Sequence, residues 1–77
     1  MILRSLIKVI NQNTNIEITD HNNLGMYFGS VKGISKFDMK LLGKEHIEEV
    51  NPFVLNVEKN LPLIQIRLIR PAEEILK

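Results

Sequence analysis

Cysteine and tryptophan are absent from the chain. Without cysteine there are no disulfides and no thiolate metal sites, which fits a reducing compartment. Aromatics are scarce, Tyr27 and three phenylalanines, so a surface that stacks nucleic-acid bases has few candidates. Neither sign of charge is in excess: ten Lys and Arg face nine Asp and Glu, for a net charge of +1. So small a charge gives the whole molecule no field to gather a polyanion. Apolar runs extend over only a few residues, so nothing reads as a membrane span. Residues 1–10 are apolar with Arg4 and Lys8 inside them. They lack the separate basic start and small-residue cleavage site of a signal peptide, and a cytoplasmic location is expected. Gly25, Gly29, Gly33 and Gly43 are scattered and match neither a phosphate loop nor a dinucleotide fingerprint.

What is present is the composition of a folded domain, 44% hydrophobic and 25% charged. At 77 residues, positions 1–77 form a single domain. A chain of this length buries only about 60% of its unfolded surface. With disulfides and thiolate metal sites excluded, a partner subunit is the remaining source of stability. A homodimer is expected, built on Leu61, Leu63, Ile69, Ile75 and Leu76 and on an exposed sheet edge.

The organising stretch is a hairpin over residues 15–31. Ile16 and Ile18 alternate with Glu17 and Thr19, the period of a half-buried strand. Residues 20–23 supply turn formers, and Gly25 is placed to take positive φ. Before the hairpin, Leu3, Leu6, Ile7 and Ile10 share a helical face over residues 1–10, widened by Ile2 and Val9. This helix reads as the hairpin's lid rather than a membrane-surface anchor, since it carries only two cations.

After the hairpin, residues 34–42 read as a short helix. Ile34, Phe37 and Leu41 form its inner face, Ser35 its cap with Asp38 three residues on, and Gly43 its C′ residue. Residues 46–69 hold a second hairpin region. Ile47 and Val50 fit either a resumed helix or a strand; the strand is preferred, with Pro52 implying an edge or a bulge. Residues 63–69 carry apolar side chains on parts of both faces, as a central strand does. Pro71 and the acids after it begin a one-turn tail helix over residues 71–77. The expected fold is α+β: an N-terminal helix on a small antiparallel sheet of four or five strands, with a short helix between two hairpins.

Three stretches carry a likeness: L-x-x-L-I-x-x-I at residues 3–10, I-x-I-x-D at residues 16–20, and F-G-x-V-x-x-I at residues 28–34. Leu41-Leu42 and I-x-x-V at residues 47–50 follow. The pattern resembles small uncharacterised α+β proteins of low-GC Gram-positive bacteria and their phages, up to about residue 69. Residues 51–53 and 71–77 depart from it. The resemblance implies a gene carried on a phage or mobile element. Some proteins of that size and origin are anti-defence proteins, including anti-CRISPR inhibitors.

Catalytic chemistry finds little support in the residues. Asp20-His21 and Glu45-His46 with Glu48 and Glu49 are the only His/acid clusters, and neither has helical zinc-site spacing. Ser5, Ser30 and Ser35 read as helix surface, hairpin end and helix cap, with no nucleophile motif. The expectation is a non-enzymatic chain with no cofactor and no metal. Charge layout stands out instead. Lys32, Lys36, Lys40 and Lys44 fall four apart, a stripe if the helix forms. Glu45, Glu48, Glu49 and Glu58 follow as an acidic stretch without a cation before Lys59. Either set is a candidate partner-binding face; the bland reading is a solvated helix face loosely paired with the nearby glutamates. The expected function is a non-catalytic module occupying a macromolecular partner, protein favoured over nucleic acid. A nucleic-acid accessory role through the lysine stripe is the alternative.

Overall fold

The hairpin forms as its alternation dictates. β1 (Asn15–Thr19) buries Ile16 and Ile18 completely and leaves Glu17 between them half-buried. β2 (Gly25–Ser30) returns antiparallel to it. The computed structural model describes residues 1–56 and 61–77, with side chains described at 1–52 and 63–77. The turn is held by Asp20, whose Oδ1 accepts from the amides of Asn22 (2.9 Å) and Leu24 (2.7 Å). Asn23, at φ 66°, takes the left-handed conformation that the sequence assigned to Gly25. Asparagine tolerates that region, and an Asx turn places it there.

α1 (Leu3–Val9) lies on this sheet with Leu3 and Ile7 buried and Leu6 and Ile10 packed beside them. Val9 does not widen the stripe; it is 77% exposed. No side chain caps α1. Its first amides are satisfied instead by distant carbonyls: Leu3 N–H donates to Glu45 (2.9 Å) and Arg4 N–H to Gly43 (2.8 Å). These are two of the donors that a helix start leaves without an intrahelical partner. Gly43 supports this junction. Its φ of −60° is right-handed, so it is no left-handed C′ glycine. A Cβ there would meet the Met39 carbonyl at 2.5 Å, so space is what requires glycine.

After a one-turn 3-10 helix at Val31–Gly33 comes α2 (Lys36–Leu42). The Ser35 hydroxyl accepts from the Asp38 amide at 3.0 Å, the cap read from sequence. The buried face matches expectation at Ile34 and Leu41, which pack against the core, and differs at Phe37. Leu42 is 2% exposed and Met39 packs on the core, whereas Phe37 is 73% exposed. Seven residues present one narrow face to the molecule, and the i, i+3 pair Met39–Leu42 takes it, so Phe37 is rotated into solvent.

β3 (Ile47–Asn56) and β4 (Leu61–Leu68) form the second hairpin, so the strand reading of this region holds. The sheet order is β2-β1-β4-β3, which makes β4 central and β3 an edge. Pro52 lies where the β3 ladder is irregular, between Asn51 and Val54. The expected all-antiparallel sheet is not found: β1 and β4 pair parallel, Ile16 beside Ile64 and Ile18 beside Ile66. The cause is the helix between the hairpins. α2 carries the chain back along the sheet, so β3 runs the same way as β2 and β4 the same way as β1.

α3 (Ala72–Ile75) folds the tail onto the sheet, with Ala72 and Ile75 buried. The apolar surplus expected to favour a dimer therefore shrinks. Leu63 and Ile75 are inside the chain, Ile69 and Leu76 are exposed, and the Leu61 side chain lies outside those described. The core joins Leu3 and Ile7 of α1, Ile16 and Ile18 of β1, Ile66 and Leu68 of β4, with Val31, Leu42 and Ile75 closing the ends.

Candidate functional site

The acidic stretch is bound up in the fold. Glu45 is buried, and both its oxygens accept from Arg70 Nε and Nη2, each at 2.8 Å. The Arg70 hydrogen bonds hold the Glu45 carboxyl below its ordinary range, against the opposing pull of burial. Glu48 and Glu49 both engage Arg67, the former at 3.1 Å, and His21 Nδ1 lies 3.2 Å from Glu48. Glu58 lies outside the described residues. Glu45 is thus no part of an open acidic face, and the two histidines do not share an environment: His46 is exposed near the start of β3.

The sheet face turned away from α1 is also internally paired. Glu17, Gln65 and Asn51 lie in register across three strands. Gln65 Nε2 donates to Glu17 at 2.8 Å, and Asn51 Nδ2 donates to Gln65 at 3.3 Å and to Glu49 at 3.1 Å. Asp20 is the second buried acid among the described residues. Besides the turn amides, its Oδ2 accepts from the Ala72 amide at 2.7 Å, tying α3 to the hairpin turn. That bond leads in holding the Asp20 carboxyl below its usual range.

The lysines are different. Lys32 sits on the 3-10 turn, Lys36 and Lys40 on α2, and Lys44 just past its end; all four are exposed. Among the described residues none of them forms an ion pair; the paired carboxylates are taken by Arg67, Arg70 and His21. Phe37, Lys40, Leu41 and Lys44 line one open depression of about 300 Å³ on the outward face of α2. At this end Arg4 Nε passes 3.3 Å from where a Gly43 Cβ would lie. The lining of the depression thus pairs two apolar side chains, Phe37 and Leu41, with two lysines, Lys40 and Lys44. It can attract anions and bury apolar groups.

Three of the four predicted lysines, 36, 40 and 44, are brought onto α2 or its end. Phe37 is the residue that sequence reading assigned elsewhere. Its signal was present: Met39 and Leu42 at i, i+3 offered a second inner face that excludes it.

No known family, curated protein or solved structure significantly matches the chain. Among the described residues no helix is long and apolar enough to cross a membrane.

Proposed function

We propose that this protein is a non-catalytic binding module that occupies a surface on another macromolecule, using the outward face of α2. One observation carries the reading: exposed lysines without carboxylate partners among the described residues lie beside a phenylalanine that is 73% exposed. The desolvation of an aromatic ring provides affinity, and the lysines steer encounter and set register. A partner with an acidic surface is the complement. A stoichiometric inhibitor of a host defence system, the role suggested by the likeness to phage-type proteins, would act through such a face.

A second reading is favoured by the same ring. An exposed Phe37 gives the lysines the stacking platform that a single-stranded nucleic-acid binder needs. Capture from a low-GC Gram-positive lysate, with and without nuclease, separates the two. A nuclease-resistant partner retained by the wild type and lost by a Phe37→Ala, Lys40→Glu variant supports protein docking. Retention by that variant would remove α2 from the interface. Titration of the partner should then saturate near one chain or one dimer per target, with no action that grows with time.

A further inference from the structure

We infer that the occupant of the α2 face is a short acidic amphipathic segment of a protein, with an aromatic or aliphatic anchor flanked by carboxylates. This rests on the reading above that α2 is the docking surface.

The geometry favours such a segment in three respects. First, the apolar lining is extended. Phe37 and Leu41 are one turn apart and line the same depression. An apolar peptide anchor covers both, whereas a nucleobase stacked on the ring leaves Leu41 without a gain.

Second, the charge is periodic and short. Lys36 and Lys40 are spaced by four residues on α2, so the second cation rises by about 6 Å, and Lys44 follows just past the helix end. Carboxylates spaced one turn apart on a partner helix repeat with the same rise. A longer polyanion outruns the row. With a net charge of +1, the chain has little further field to hold it, and neutralising three phosphates releases few counterions.

Third, no neighbouring acid, Asp38 of α2 included, forms an ion pair with these lysines among the described residues. Glu45 is closed inside its Arg70 pair, and Glu48 and Glu49 are on Arg67. The lysines are therefore available to carboxylates from outside.

The test is a display library of random twelve-residue peptides selected against the purified chain. Selected sequences are then titrated while backbone amide shifts are recorded. The expected peptides are enriched in Asp and Glu around one aromatic or aliphatic residue, and they shift the amides of residues 36–44. Phe37→Ala and Lys40→Glu should each raise Kd about tenfold, while Lys8→Glu on α1 leaves it within about twofold. Raised salt should weaken the wild type more than Lys40→Glu.

Peptides without acidic enrichment, peptides that shift other residues, or an empty selection overturn the inference. A ten-nucleotide oligothymidine is run in parallel. If it shifts residues 36–44 at lower concentration than any selected peptide, the docking surface stands and the peptide occupant falls. If neither probe reaches α2, the docking surface falls with it.

Discussion

Two oppositely charged segments adjoin in this chain, and the fold treats them differently. Residues 32–44 carry four lysines that face water without partners among the described residues. Residues 45–49 carry three glutamates that are all engaged by arginines of β4 or the turn after it. The difference lies in what arrives from elsewhere. An arginine presents a planar fork that fits a carboxylate at two points. Arg67 and Arg70 come alongside β3 because β4 pairs with it. Among the described residues no strand brings an acid into an ion pair with α2. A run of charge in a sequence thus does not tell whether the charge is available; the topology decides.

That contrast can be broken from its strongest side. Glu45→Ala should cost about 2 kcal/mol, since two charge-assisted hydrogen bonds are lost while Arg70, 45% exposed, rehydrates. For a domain of this size the melting temperature falls by roughly 10 °C. A loss under about 0.5 kcal/mol by chemical denaturation would put Glu45 in the same class as a surface lysine.

Acid sharpens it next. Asp20 and Glu45 both hold their protons less tightly when folded. The unfolded chain therefore takes up protons first as pH falls. The stability they add is full above about pH 5 and is lost as pH drops through their lowered folded values. Asp20→Asn should be less stable than wild type at pH 7, and the gap should narrow by pH 3. Urea midpoints at the two pH values measure this; an equal gap would mean that Asp20 does not depend on its charge.

Glu49→Gln is a smaller step. Its partner Arg67 is partly exposed and keeps Glu48, so the expected cost is about 0.2–1 kcal/mol, reduced by added salt.

The lysine side gives the smallest effect on folding. Reversing Lys36 and Lys40 to glutamate should leave the melting temperature nearly unchanged, and Phe37→Ala should cost less than about 0.5 kcal/mol. A buried phenylalanine would cost about 3–5 kcal/mol, so a large loss at Phe37 would place the ring in the core and dissolve the contrast.

Much of the fold was legible because it rests on local pattern. The alternation of Ile16 and Ile18, the Leu3–Ile7 stripe, the Ser35 cap and the proline-marked edge each follow from spacing within a few residues. The parallel β1–β4 pairing was not, because alternation has a period and no direction. The inner face of α2 was hidden by its length. In two turns, Phe37 and Met39 compete for one contact, and hydrophobicity alone ranks the ring first. The lysine row could be read directly from its four-residue spacing. The closure of Glu45 could not, since its partner lies 25 residues away.

The parallel pair has a consequence for synthesis. β4 follows the other three strands of this sheet in the chain and is a central one. Until residues 61–68 have left the ribosome, β1 has one neighbour, and Ile66 and Leu68 are missing from the core. The first hairpin and α1 emerge early but have only part of their packing partner. Contacts spanning 48 residues, such as Ile16 with Ile64, set the search. Loop closure over that distance must precede their reward. The sheet position beside β1 thus stays unfilled until β4 has been made, and the core closes on that strand.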